Sequence, residues 1–281
     1  MKSLPIEFQE RMKTLLGDEY DDFLKSYDEK PVRAFRVNTD KISLPEFEKL
    51  NIFSQEKISY VENGFYFDYD GIGNHPYHHA GMFYIQEPAA MVPVESIDIE
   101  PDWKVLDLCA APGGKSSQIK NKLGEKGILV SNEIVPSRCK ILTGNMERMG
   151  FKNVVTTCMH PQKLQKEFPK TFDMIMVDAP CSGEGMFRKE EIAIDEWTPE
   201  NVKMCAERQT EILDCAVKML KDGGYIVYST CTFSLEENEM TVDAFLENYP
   251  EFELVPTTQR VQENTCLLYT SDAADERSSV D

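Results

Sequence analysis

Apolar positions recur along this chain at two spacings, and the change from one to the other divides it. Phe8, Met12, Leu15, Leu16, Phe23 and Leu24 fall at helical intervals over residues 5–26, with Gly17 and Asp18 interrupting them. That spacing predicts two short helices. From Val32 to about Phe67 the apolar runs shorten to Ala34-Phe35-Arg36-Val37 and Gly64-Phe65-Tyr66-Phe67, around a polar helix at 44–50. This is the pattern of a small α+β subdomain. The turn cluster Asp70-Gly71-Ile72-Gly73-Asn74 leads into an aromatic and small-residue stretch over 75–93. Its centre, Tyr84-Ile85-Gln86-Glu87-Pro88-Ala89-Ala90-Met91, suits packing between subdomains and contact with a substrate equally well.

After Pro101 strands and helices alternate. Strands are predicted over 104–108, 127–131, 154–157, 172–177 and 225–229, with helices over 115–123, 137–149 and 201–220. The helix ending at Leu220 meets a glycine stop, Asp222-Gly223-Gly224. A helix over 235–248 and one more strand over 251–255 complete the series. Such alternation implies a parallel sheet with helical crossovers. The expected plan is therefore an α+β subdomain over 1–94 and a larger α/β domain over 95–264. From about Leu267 the periodicity stops, and Leu268-Tyr269-Thr270-Ser271-Asp272-Ala273-Ala274-Asp275 resembles translated adapter more than protein. Residues 265–281 are set aside as a non-native tail.

Composition narrows the class. With 41% hydrophobic and 28% charged residues, the chain has an ordinary globular balance. No apolar run approaches a membrane span, and the opening Met1-Lys2-Ser3-Leu4-Pro5-Ile6 lacks the apolar core of a signal peptide, so a cytoplasmic protein free of the membrane is expected. The eight cysteines include no Cys-x2-Cys pair, which favours reduced thiols over a zinc site. His75, His78 and His79 cluster without an acidic or cysteine partner at ligand spacing, so a loop or substrate-facing role is favoured over a metal. A net charge of −19 argues against casual affinity for nucleic acid. Local basic faces remain available at Arg33, Arg36 and Lys41 and at Arg188 and Lys189, although each reads equally as mixed solvated surface.

The chemistry gathers at predicted strand ends. The first strand of the α/β part runs into Asp107-Leu108-Cys109-Ala110-Ala111-Pro112-Gly113-Gly114-Lys115 and then a helix. A glycine turn there offers backbone N–H groups and a positive helix end to an anionic or nucleoside ligand. It is neither Gly-x-Gly-x-x-Gly nor a Walker loop, so a dinucleotide or ATP is not the first choice. The second strand ends at Asn132-Glu133, where an acid can accept from both ribose hydroxyls. Loop and acid together favour a nucleoside cofactor whose amino-acid end meets the glycine turn.

Two cysteines follow later strands, in Asp178-Ala179-Pro180-Cys181-Ser182-Gly183-Glu184-Gly185 and in Ser229-Thr230-Cys231-Thr232. Parallel strands deliver their carboxyl ends to one crevice, so Cys181 and Cys231 can converge. Either alone is more often a small buried hydrophobe, but two at one crevice favour reactivity. From residue types alone, Cys181 is the obvious nucleophile.

These three stretches, with Tyr84-Ile85-Gln86-Glu87-Pro88 and Asn145-Met146-Glu147-Arg148-Met149-Gly150, resemble the motifs of the NOL1/NOP2/Sun family of RNA cytosine-5 methyltransferases. The likeness runs from about Leu4 to Phe252 and is strongest to the bacterial 16S ribosomal-RNA branch. It implies a Rossmann-like class I S-adenosylmethionine-dependent methyltransferase fold behind the α+β subdomain, with RNA as partner; a monomer without a metal is expected. By this resemblance Cys231 adds to C6 of cytosine, Cys181 helps release the adduct, and Asp178 contacts both cofactor and base. Cys109, Ala110, Ala111, Pro112, Gly113, Gly114 and Lys115 would hold the methionine part of the cofactor and Glu133 its ribose.

A further family position, an acid reading the adenine amine, falls at His160 here. The family's closing antiparallel strand beyond Val255 and its C-terminal RNA-binding domain are not recognisable, so a fragment with an open sheet edge is expected. The rivals are a methyltransferase with another substrate, a thiol redox protein using Cys181 and Cys231, and a non-catalytic RNA-binding or assembly fragment.

Overall fold

The computed structural model describes residues 3–53 and 56–264, so the tail over 265–281 lies outside the described residues. The helical spacing at the start yields α1 (Ile6–Leu16) and α2 (Tyr20–Ser26), joined by a 3-10 turn. Gly17 sits in that turn at φ 52°, a conformation a side chain would strain. Phe8 and Met12 bury themselves against Phe187, Ile194, Trp197 and Val202, far along the chain, with Leu15, Leu16 and Phe23 of the same two helices packed around them.

The short apolar runs form β1 (Ala34–Val37), β2 (Gly64–Tyr66) and β3 (Phe83–Ile85), in an antiparallel sheet of order β2-β1-β3. Phe35, fully buried on the central strand, meets the rings of Phe47, Phe53, Phe65, Phe67 and Phe83. Helix α3 (Leu44–Leu50) starts on a capping box between Ser43 and Glu46, and α4 (Pro76–His79) is capped by His75. The histidine cluster is thus built into a turn: His78 packs its ring on Phe83. Helix α5 (Pro88–Glu95) then carries the chain to the larger sheet.

There the strands are β4 (Lys104–Asp107), β5 (Ile128–Asn132), β6 (Val154–Thr157), β7 (Phe172–Asp178) and β8 (Leu220–Ser229), all parallel in the order β6-β5-β4-β7-β8. Helices α6 (Gly114–Lys122), α7 (Pro136–Met149), α8 (Pro161–Glu167), α9 (Glu191–Glu196), α10 (Pro199–Met219) and α11 (Glu239–Asn248) supply the crossovers and cover. Both faces of the central strands are buried. Leu106, Ile175 and Val177 pack on Ile212, Leu213 and Ala216 of α10, while Val105, Met174 and Met176 pack on Ile119 and Leu123. The chain order reverses between β4 and β7, and there a crevice opens beyond the carboxyl ends.

The N-terminal sheet is tied to this crevice by a buried arginine. The Arg36 guanidinium donates to Gln86 Oε1 at 2.8 Å, to the Gly114 carbonyl at 2.7 Å and to Ser117 Oγ at 2.7 Å. Burial lowers its pKa to about 10. It is therefore structural, not part of the basic surface considered for it above.

Two expectations change. Residues 251–255 form no strand. Phe252 instead packs on Phe245 and Tyr249, and Leu254 and Val255 are exposed. Pro250 and Pro256 flank the segment and lack the N–H a ladder needs. The chain returns to α5, where Thr258 bonds to Ser96 and Glu95 and a short α12 (Gln259–Asn264) buries Val261. The helix expected over 235–248 starts only at Glu239, because residues 232–238 are held in a hydrogen-bonded turn. Among the described residues β8 pairs with β7 alone, so its other edge is open.

Candidate active site

Asp107 ends β4 and is fully buried. Ser116 Oγ donates to its Oδ2 at 2.6 Å and lies 2.8 Å from Ser131 Oγ, whereas Oδ1 is buried with no partner. Burial pushes this carboxyl up to about 7. The following loop reaches α6 through Gly113 at φ 111°, where an added Cβ would come within 2.8 Å of Met146 Cε. Asn145 holds the Pro112 carbonyl at 2.8 Å, and Arg138 holds that of Ala111 at 3.0 Å. Ala110 and Ala111 are buried. Burial and then the charges of Asp107, Glu133 and Asp178 push the Cys109 thiol up, so it is not a nucleophile at neutral pH.

Glu133 follows β5, its side chain only 3% exposed. Its Oε1 accepts the Val135 N–H at 2.9 Å and its Oε2 lies 3.4 Å from Arg138. Asp178 ends β7. Its Oδ2 pairs with Lys115 Nζ at 2.7 Å and its Oδ1 accepts from Ser229 Oγ at 2.8 Å. Three acids thus line the carboxyl edge of β4, β5 and β7, an arrangement suited to a ligand carrying positive charge. His160 stands apart from this role: it caps α8, its Nδ1 accepting the Gln162 N–H at 3.3 Å.

Cys181 and Cys231 do converge. Their sulfurs are 3.2 Å apart, and the Cys231 N–H points at Cys181 Sγ at 3.3 Å. Cys231 is the exposed member of the pair. The hydrogen bond from Cys181 holds the Cys231 thiol below its ordinary range, while Cys181, donating that bond in a more buried place, is pushed up. The contact therefore favours ionisation of Cys231 over that of Cys181.

The residues that hold these loops were not singled out from sequence. Glu184, Glu237, Gln209 and Trp197 are all buried and form one hydrogen-bonded group beneath the cysteines. An acid in a loop gives no signal of burial, because only tertiary contacts decide it.

A parallel sheet of this order, with a glycine loop after its first strand and acids at the next strand ends, defines a Rossmann-like S-adenosylmethionine-dependent methyltransferase. The chain belongs to the 16S rRNA methyltransferase RsmB/F family: residues 94–271 match that family, and residues 4–88 match the N-terminal domain of 16S rRNA methyltransferase RsmF. It is similar to the ribosomal RNA small subunit methyltransferase F of Klebsiella pneumoniae, 38% identical over 84% of this chain and 52% of that protein. The Escherichia fergusonii protein of the same name is 37% identical over 87% and 53%. The chain spans about half the length of these curated relatives. A methyltransferase homolog protein from Pyrococcus horikoshii superposes with a TM-score of 0.77 at 28% identity, covering 91% of this chain and 87% of the other.

Proposed function

We propose that this chain methylates C5 of a cytosine in ribosomal RNA, with S-adenosylmethionine as the donor and Cys231 as a covalent nucleophile. The observation that carries this reading is the 3.2 Å contact between the sulfurs of Cys181 and Cys231, beside Asp178. The family supports ribosomal RNA as the substrate class, and the names of the relatives support the small-subunit RNA or its particle as the partner. In this reading the residues over 95–264 are the methyltransferase domain, residues 1–94 support it, and the chain acts as a cytoplasmic monomer without a metal.

The crevice fits the cofactor. The buried, unpartnered Oδ1 of Asp107 and the acids Glu133 and Asp178 suit a molecule that carries an ammonium, a sulfonium and two ribose hydroxyls. Cys109, Ala110, Ala111, Pro112, Gly113, Gly114 and Lys115 would hold the methionine portion, Glu133 the ribose, and Asp178 the methyl end. His160, the position matching the acid of the wider family, is a helix cap here, which leaves its contact with the cofactor doubtful. When bound, the cofactor supplies an electrophilic methyl group.

The chain's own residues do the rest. The target base must leave its stack, because C6 is shielded within a helix. The Cys231 thiolate forms a bond to C6, and the electron pair of the C5–C6 double bond moves toward C5 and N3, making C5 a nucleophile. Asp178 takes a proton from the Lys115 ammonium paired with it and donates a hydrogen bond to N3 as negative charge collects there. After methylation the C5 proton passes to solvent water, the electron pair it leaves re-forms the C5–C6 double bond, and the S–C6 bond breaks with its pair returning to the Cys231 sulfur. The Cys181 S–H stabilises the departing Cys231 thiolate across the contact it already makes.

The same contact would suit a dithiol–disulfide couple, and one experiment separates the two. Wild type and Cys231→Ala are incubated with labelled S-adenosylmethionine and unmodified ribosomal RNA, and nucleosides are analysed for 5-methylcytosine. Label in 5-methylcytosine with wild type, and none with Cys231→Ala, is expected. Undiminished methylation by Cys231→Ala would sink the proposal, and donor-independent thiol–disulfide turnover would favour the redox reading.

A further inference from the structure

The loops carrying the two cysteines grip one another through a pair of buried acids. Glu184, on the Cys181 loop, accepts at Oε2 from Thr232 Oγ1 and from the Phe233 N–H, both at 2.8 Å, just past Cys231. Its Oε1 accepts from the Trp197 indole at 2.9 Å. Glu237, on the Cys231 loop, accepts at Oε2 from the Ser182 N–H at 3.0 Å, next to Cys181, and from Gln209 Nε2 at 2.9 Å. Each loop thus extends a carboxylate to the backbone of the other, one residue or two beyond its cysteine. Ser182 Oγ and Thr232 Oγ1 touch at 2.9 Å between them, and the Gly185 N–H donates to the Cys231 carbonyl at 2.8 Å.

Stability alone does not explain this clasp. Glu184 is 2% and Glu237 0% exposed, and neither makes an ion pair among the described residues. Burying a carboxylate that has no cationic partner is costly, and its hydrogen bonds offset that cost only in part. Burial raises the Glu237 carboxyl, as that cost requires. What the two acids do achieve is register. Their oxygens fix backbone N–H groups adjacent to both cysteines, in a setting where a shift of a fraction of an ångström would break a sulfur–sulfur hydrogen bond. The N-terminal helices brace the same two loops from outside: Phe8 packs on Phe187, Phe23 on Phe233, and Arg11 pairs with Glu236.

We propose that Glu184 and Glu237 are positioning residues that act through this reciprocal clasp to hold Cys181 within hydrogen-bonding distance of Cys231. The inference rests on the thiol pair of the proposed function. Neither acid touches the reacting atoms. In Glu184→Gln an amide N–H₂ must face a donor, and in Glu237→Gln, whose Oε1 is unpartnered, a neutral amide oxygen replaces the stronger charged acceptor at Oε2, so the loops separate and Cys231 loses the bond that favours its thiolate.

The test is the pH profile of Cys231 alkylation by iodoacetamide, followed peptide by peptide by mass spectrometry in the intact chain, a readout that needs neither RNA nor donor. Wild type, Cys181→Ala, Glu184→Gln and Glu237→Gln are compared, with thermal melting recorded for each. Both glutamine variants are expected to follow Cys181→Ala, the Cys231 midpoint moving up by about one pH unit and the rate at pH 7 falling about tenfold. Thr232→Val should behave likewise and Thr232→Ser should match wild type; this pair carries the test if a glutamine variant does not fold. Folded glutamine variants that keep the wild-type profile while Cys181→Ala loses it would overturn the clasp and leave the thiol pair standing. A Cys231 midpoint in wild type that Cys181→Ala does not move would overturn the thiol pair itself, and the clasp with it.

Discussion

Gly185→Ala is the smallest change that should uncouple the site from the fold. A Cβ at this position would meet the Cys231 carbonyl oxygen at 2.8 Å, where ordinary contact begins at 3.4 Å, so the Cys231 loop must recede by roughly 0.6 Å. The Gly185 N–H that donates to the same oxygen stretches with it. Displacing backbone and weakening that hydrogen bond together cost about 1–3 kcal/mol, of which replacing a glycine by alanine gives back roughly 0.4–1 kcal/mol through the unfolded chain, so stability should fall modestly. Turnover should not escape. Misplacing a reacting group by 1 Å can cost on the order of 100-fold, so a 0.6 Å shift of the nucleophile predicts a loss on the order of tenfold in kcat. The assay is labelled-methyl transfer to unmodified ribosomal RNA, with KM for the donor and thermal melting measured in parallel. Gly183→Ala serves as control: it strains a φ of 76° but meets nothing within 4 Å, so it should lower stability by about 1–2 kcal/mol with a smaller loss of turnover. Wild-type kcat in Gly185→Ala would refute the reasoning that backbone packing sets the position of Cys231.

Three further outcomes follow from the same geometry. Because Cys181 holds the Cys231 pKa below the ordinary thiol range, thiolate is present above that lowered pKa and lost as pH falls through it. In Cys181→Ala the pKa returns upward, so the acid limb of RNA adduct formation should move to higher pH. Gly113→Ala combines a φ of 111° with a Cβ 2.8 Å from Met146 and should weaken binding of S-adenosylmethionine about tenfold or more by calorimetry, with Cys231 alkylation unchanged. Phe35→Ala removes the ring at the centre of the N-terminal sheet and should cost about 3–5 kcal/mol of stability in denaturant unfolding.

Much of the site was legible because a parallel sheet gathers its strand ends. Cys181 and Cys231 are distant in sequence, yet β7 and β8 are neighbours in register, Asp178 opposite Ser229, so the residues just past them must meet. The loop after β4 and Glu133 after β5 followed from the same rule. The strand expected at 251–255 failed because alternation of Phe252 and Leu254 with acids shows a period, not a partner. Helices α9 and α12 are too short to establish a period. Arg36 read as a candidate basic surface and proved to be a buried tie to Gly114. Glu184 and Glu237 were illegible for a related reason: a carboxylate in a polar loop is ordinarily solvated, and only the packing of α10, α9 and the N-terminal helices removes these two from water.

The central claim is that Cys231 attacks the base and Cys181 lets it go. It is tested most directly by incubating Cys181→Ala, and the double variant Cys181→Ala with Cys231→Ala, with ribosomal RNA and S-adenosylmethionine, then resolving the products under denaturing conditions. The single variant should accumulate a covalent protein–RNA species that peptide mapping assigns to Cys231, and the double variant should form none. An adduct that persists in the double variant, or one mapped to another residue, would contradict the account.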